Sequence, residues 1–315
     1  MINVTYLKND KLVNINHLDK DLTFDKILWI DILFASEQEK TDVENFLDIK
    51  LQTRQESEEI ESSSRYFETE DEIFANSNFL VRNSNGEYNN EPVSFIIKSR
   101  ILVSYRNVEL KAFDDTSRKI LASSRTKISG FDVFLSLFET RIDLDADLLE
   151  ALARDISTIS KQITVEKHLD EKIILEITRH QETTMLLREN IIDKQRVMSA
   201  ILKSEFFPKT SYELIRIMIK DIGSLIDHNS FSFERLEYLQ DTFLGLIDIE
   251  QNKIIKIFTV ATVLFMPPTL IASIYGMNFK FMPELHFKYG YAIALILMLV
   301  SALVTLLIFR KKKWL

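Results

Sequence analysis

Between Asp241 and Ser273 the chain repeats polar groups at helical spacing. Asn252, Thr259, Met266 and Ser273 recur every seven residues, and Asp241 and Gly245 continue the same line upstream. At about 100° per residue this spacing puts them on one stripe of an α-helix, with Asp248, Thr262 and Thr269 beside it. The stripe offers carboxylate, amide, hydroxyl and thioether groups, while the remaining faces carry Ile, Val, Leu and Phe. Polar groups are expensive against lipid, so such a stripe faces protein or water. Two readings stay open on the stripe alone: helix packing through small and hydroxyl residues, or the wall of a water-filled path.

The elements that position this stripe are hydrophobic. Ile257 to Phe279 is 23 residues without a charge, and Tyr289 to Phe309 is 21 more. A helix crossing a bilayer core needs about 20 apolar residues, so two transmembrane helices are expected. The first contains Pro267 and Pro268; the second has Ser301 and Thr305 but no comparable stripe, as an outer helix would. The connection, 280–288, is short, so both termini lie on one side. Arg310 to Lys313, with Lys253 and Lys256, place that side in the cytoplasm, and Lys280 and Lys288 in the loop dilute the bias without reversing it. The expected location is a cell (inner) membrane. Two helices cannot enclose a pore, so a water-lined stripe requires several copies.

Charge divides the chain. Of 39 basic and 47 acidic residues, eight and one fall in 251–315, leaving 31 and 46 in 1–250. An acidic body of net −15 is thus joined to a tail of +7. Such a body does not suit nucleic acid, which wants a basic face, and is compatible with binding cations. Without cysteine there are no disulfides or thiolate metal sites. The N-terminus, MINVTYLKNDKLVNI, lacks a basic-then-apolar leader pattern. No P-loop, GxGxxG or HExxH occurs, and the five histidines never pair at i,i+3 or i,i+4, so neither an enzyme nor a histidine-built metal site is expected.

Residues 1–130 read as mixed α/β. Strands are expected over 27–34, 92–98 and 100–105, with two more in 64–81 and a turn at Asn85-Gly86. Ser36 with Glu39 forms a capping box opening a helix to about Lys50. From 131 the pattern becomes long amphipathic helices over about 131–165 and 169–205, within a helical region 131–208. A third begins near Thr210 as a stalk over 209–256 and runs into the first span, 257–279, giving one helix of roughly 65 residues, or about 100 Å. A loop over 280–288, a second span over 289–309 and a basic tail over 310–315 complete the chain. The acid clusters at 56–63 and 68–72 read as a solvated surface or as weak carboxylate sites for hard divalent ions.

Gly276-Met277-Asn278, at the end of the first span, resembles the signature of the CorA family of magnesium channels. The match continues through IEQNKIIKIFTVATVLFMPPTLIASIYGMNF (249–279), MPEL (282–285) and KKKWL (311–315), and more faintly through LFET (137–140). The resemblance implies a homopentamer in the lipid bilayer, a cytoplasmic α/β domain beside long helices, and a stalk helix that becomes the pore-lining span. It implies Mg²⁺ both as transported ion and as regulator. Carried over, Asn278 forms the ring at the external mouth, and Gly276 and Met277 shape that mouth. Thr269, Met266 and, further in, Asn252 line the pore, on the same stripe as Thr259 and Ser273. Asp241 corresponds to an acidic ring near the cytoplasmic end. Asp221 and Asp227 fall in the stalk region where intracellular Mg²⁺ is sensed between subunits. Many relatives carry an acid after GMNF; here Lys280 stands there, leaving Glu284 as the loop's only carboxylate. Co²⁺ or Ni²⁺ could share the path. A Zn²⁺ transporter of the same superfamily, or a membrane-anchored scaffold without flux, are the alternatives.

Overall fold

The computed structural model describes residues 1–9, 11–19, 22–52, 65–123, 128–165, 170–278, 280 and 282–312. The chain forms two units, Met1–Gln240 and Asp241–Leu315.

The first unit is built on a seven-stranded sheet. Its strands are β1 (Ile2–Lys8), β2 (Lys11–Ile15), β3 (Ile27–Leu33), β4 (Tyr66–Glu68), β5 (Glu72–Arg82), β6 (Tyr88–Lys98) and β7 (Ile101–Arg106), in the order β2-β1-β3-β7-β6-β5-β4. Only β3 and β7 pair in parallel; the other ladders are antiparallel. Strand alternation divides the core in two. Trp29, Phe95 and Leu102 face the cluster that includes Phe113, Phe134, Phe138, Leu187 and Ile191. Ile30, Ile96, Ile101 and Val103 face Val43 and Leu47 on the other side. The helices are α1 (Glu37–Leu47) on this second face and α2 (Lys111–Leu121), α3 (Gly130–Thr164) and α4 (Glu171–Ile201) on the first. The Ser36–Glu39 capping box is present, and α1 ends three residues before Lys50 because Asp48 turns left-handed (φ 51°).

The β1–β2 hairpin and α2 are elements that sequence patterning had not marked. Strand β6 begins four residues before 92, since its ladder with β5 runs on to Arg82↔Tyr88. Gly86 closes that hairpin at φ +83°. The 56–63 cluster, His168, Phe279 and residues 313–315 lie outside the described residues. Within 68–72, Glu72 pairs with Lys98 at 2.9 Å, so that cluster includes a tied carboxylate.

Gly130 starts α3 where no side chain fits. A Cβ there would lie 2.5 Å from the Arg100 carbonyl oxygen, and the Gly130 N–H donates to that oxygen at 2.7 Å. This contact seats α3 directly on the β6–β7 turn.

A buried ionic network ties sheet to helices. The Asp193 carboxylate accepts from the Ser77 hydroxyl at 2.9 Å and the Asn78 N–H at 3.0 Å. Arg65 Nε lies 2.6 Å from its other oxygen, an ion pair without hydrogen-bond alignment. Arg141 pairs with Asp145, and Lys194 Nζ lies 3.5 Å from Asp145 while donating to the Asn78 and Asn190 carbonyls. Three cations face two carboxylates. Burial pushes the Lys194 ammonium down to about 8 from its ordinary 10.5, with Asp145 opposing and Arg141 adding to the shift. Below about pH 8 the charged form is buried and its cost fully present. As pH rises from there toward 10.5 the folded chain loses this proton before the unfolded one, so stability rises. Lys194→Met should keep the unit folded and flatten that rise in thermal unfolding of the intact chain. Asp193→Ala, which strands Arg65, should cost about 3–5 kcal/mol. Equal losses from both substitutions would contradict this ordering.

The second unit contains the distal part of α5 (Tyr212–Tyr275), a 3₁₀ turn (Pro283–His286) and α6 (Gly290–Lys311). Pro267 and Pro268 lie inside α5 without ending it. Each lacks an N–H, so the Val263 and Leu264 carbonyls lose their usual helical donors.

Candidate functional site

Asp241, Asn252, Thr259, Met266, Thr269 and Ser273 all lie on α5 and all are exposed in a single copy. The apolar part of α5 has no buried residue in its most hydrophobic 18-residue stretch. Ile257, Phe258, Phe265 and Leu270 are each more than 60% exposed. An apolar surface of this extent does not stay in water. Lipid or further copies of the chain must cover it. α5 and α6 are the two helices, among the described residues, long and apolar enough to cross a membrane.

The hydroxyls of the stripe have a fixed polarity. Thr259 donates to the Ile255 carbonyl at 2.8 Å, Thr262 to Phe258 at 2.9 Å, and Thr269 to Phe265 at 2.8 Å. Each hydroxyl hydrogen is spent on the turn before it, a common fate of threonine inside a helix. What remains is lone pairs. These three threonines therefore present acceptors, which suit the hydrogens of water around a cation. Sequence spacing located these residues; their polarity depends on rotamer and needed the structure.

At the end of α5 the Gly276 N–H donates to Ala272 at 2.9 Å, and Gly276, Met277 and Asn278 are exposed beyond the last helical turn. Gly276 does not adopt the left-handed conformation that ends many helices at glycine. A Cβ there would make a tight contact, 3.1 Å from the Ala272 carbonyl oxygen. Lys280 is exposed. Glu284 belongs to the 3₁₀ turn, and its side chain lies outside the described residues.

Asp221 and Asp227 are exposed on the part of α5 within the first unit. The structure brings Asp221 near a carboxylate row that sequence reasoning missed. Glu139, Asp143 and Asp147 recur every four residues along α3, so they share a helix face. Desolvation raises the Asp143 carboxyl above its ordinary value, and the charges of Glu139, Asp147 and Asp221 push the same way against Lys119. The i,i+4,i+8 spacing was the available signal. No group of three or more His, Cys, Asp or Glu among the described residues converges as a metal site within one copy. Asp227 is not brought to this row by any described contact.

The chain matches the CorA-like Mg²⁺ transporter protein family over residues 24–311. It is 39% identical over 293 residues to the magnesium transport protein CorA of Wolinella succinogenes, covering 92% of this chain and 91% of that one. It is 35% identical over 317 residues to the protein of the same name from Haemophilus influenzae, covering all of both. Among solved structures, the complete CorA magnesium transporter of Methanocaldococcus jannaschii superposes with a TM-score of 0.83 at 20% identity, over 100% of this chain and 99% of that one. At that identity the superposition speaks for the fold: an α/β domain and a long helix that runs into the membrane-spanning part.

Proposed function

Because the chain belongs to the CorA-like Mg²⁺ transporter family, a family of transporters and not of enzymes, we propose that it forms a homopentameric channel for Mg²⁺ uptake. The observation that carries this reading is the polar stripe of α5, exposed along its length and ending at Gly276-Met277-Asn278. The body and both termini lie in the cytoplasm, and the 280–288 loop faces outward, as the Lys and Arg flanks favour.

Mg²⁺ is small, strictly octahedral at about 2.0–2.1 Å, and gives up water reluctantly. A ring of Asn278 amide oxygens accepts from the ion's water shell without stripping it, with Gly276 and Met277 shaping that ring and Glu284 adding negative charge outside. Ser273, Thr269, Met266, Thr259 and Asn252 then pass a hydrated ion through neutral, weak sites in series, which conduction requires. Asp241 supplies a carboxylate ring at the inner end. Co²⁺ and Ni²⁺, also hydrated divalent ions, fit the same path. A divalent ion gains about 4.6 kcal/mol per 100 mV, twice the single-charge value, so no nucleotide is needed for inward flow.

Regulation by intracellular Mg²⁺ fits the Asp143 row. Its carboxyl carries an electrostatic cost that a bound divalent cation would relieve. Since the described residues of one copy do not assemble three ligands, Asp143 and the neighbouring Asp221 need a second copy to complete the site, with Asp227 further along α5 at that contact. Bound Mg²⁺ would bridge like-charged subunits and hold the pore shut; its loss would let the acidic bodies separate.

Assembly tests the pore directly. Native mass of the purified chain in mild detergent should show five copies. A monomer or dimer as the largest species would sink the proposal, because two-span subunits cannot enclose water alone.

A further inference from the structure

Within the second unit, the last turn of α5 and the first turns of α6 border a groove of about 470 Å³ that shares Gly276 with the proposed mouth and none of the other residues given to the ion path. It opens because the facing positions are small: Ala272 and Gly276 on one side, Gly290 and Ala294 on the other. Ala294 is the one buried residue of α6 among those described. The rest of the wall is aromatic and aliphatic, from Tyr275, Phe287 and Tyr291 down to Leu295 and Met298. The rim carries a single cation, Lys288, whose Nζ sits 5.9 Å from the Tyr289 ring centroid.

Depth orders these groups. Tyrosines and a lysine lie at the loop end, where aromatic rings and snorkelling cations meet lipid headgroups. Leu295 and Met298 lie further along α6, toward the hydrocarbon. An apolar groove with one charged group at its polar end has the form of an amphiphile site: the wall takes a chain, and the rim takes an anion. The charge is complementary to phosphate, and Lys280 adds a second cation to the same short loop.

We propose that this groove binds one anionic phospholipid of the leaflet facing the 280–288 loop, its acyl chain along Leu295 and Met298 and its phosphate at Lys288. The inference rests on the two spans and not on ion selectivity, so its failure leaves the channel reading standing.

The test uses the full-length protein in nanodiscs of phosphatidylcholine with one fifth phosphatidylglycerol, followed by native mass spectrometry of retained lipid. The ratio of retained phosphatidylglycerol to phosphatidylcholine should exceed the bulk ratio about fivefold, the worth of one interfacial lysine, which makes phosphatidylglycerol about half of the retained lipid. Lys288→Gln should abolish the enrichment while lipid of either kind is still retained. Ala272→Phe, which fills the groove, should reduce retention of both. Soluble glycerol phosphate should not compete, since the chain supplies most of the binding. Unchanged enrichment in Lys288→Gln, or competition by glycerol phosphate, would overturn the proposal. So would a photoreactive side chain at Leu295 that cross-links to another copy of the protein in place of lipid, because a neighbouring span would then fill the groove.

Discussion

Asn278→Ala should abolish selective Mg²⁺ entry while leaving assembly intact. The residue lies beyond the last turn of α5 and is exposed, so its removal disturbs no packing. In the proposed channel, what it removes is an amide oxygen placed to accept from the ion's inner waters. A hydrogen bond to a charged partner contributes about 1.5–3 kcal/mol, and every copy in the ring loses it together. Mg²⁺ influx should therefore fall about a hundredfold or more. Asn278→Asp separates oxygen from neutrality. It restores acceptors but adds a charge from each copy, so ions should enter and leave slowly, with Mg²⁺ blocking other cations at low concentration. An Asn278→Ala protein that conducts with unchanged selectivity would contradict the role given to this residue.

The second large effect concerns closure. Internal Mg²⁺ should inhibit influx, and Asp143→Asn combined with Asp221→Asn should raise the concentration needed about tenfold, within the usual range of coupling energies. Desolvation and like charges raise the Asp143 carboxyl, so neutralising it relieves some repulsion, but in the proposed site it also removes a ligand in each copy, and with fewer ligands more internal Mg²⁺ is needed for closure. Glu139 is a useful control because Lys119 already pairs with it at 2.6 Å. Glu139→Gln should shift inhibition less. Inhibition by internal Mg²⁺ unaltered in the double variant would remove this row from the regulatory account.

Parts of this architecture were legible because they obey local periods. The seven-residue recurrence of Asn252, Thr259, Met266 and Ser273 needs only helical geometry, and the Ser36–Glu39 capping box acts over three residues. The long helix was legible because neither proline nor glycine stops it before Tyr275. Other parts were hidden for physical reasons. Lys111–Leu121 is short and no side chain caps its start, so the helical spacing of its buried Phe113, Thr116 and Ile120 passed without a start signal. The β1–β2 hairpin turns at Asn9 (φ 50°) without a glycine signal. The buried network joins Ser77 to Asp193, 116 positions apart, which no local pattern encodes. Gly276 stays outside the left-handed region, and the tight 3.1 Å approach a Cβ would make to the Ala272 carbonyl oxygen there is not encoded by any sequence pattern.

The site was legible as positions and not as chemistry. Spacing put the threonines on one face; only the structure shows their hydrogens turned back to Ile255, Phe258 and Phe265. The same back-bond is made by Thr305 on the second span and by Thr178 and Thr184 in the first unit, so the bond itself belongs to helical threonine and the location of the stripe, not its polarity, points to an ion path.

The central claim is that Mg²⁺ passes through this protein under the membrane potential. The most direct measurement is Mg²⁺-dye influx into liposomes containing the purified full chain, with potassium gradients and valinomycin setting the voltage. Influx should need no nucleotide and should rise steeply as the interior becomes negative. The voltage of zero net flow should move about 30 mV for each tenfold change in external Mg²⁺, as a doubly charged ion requires. Absence of Mg²⁺ entry, or entry indifferent to voltage, would contradict the account and favour a membrane-anchored scaffold or a transporter coupled to another ion.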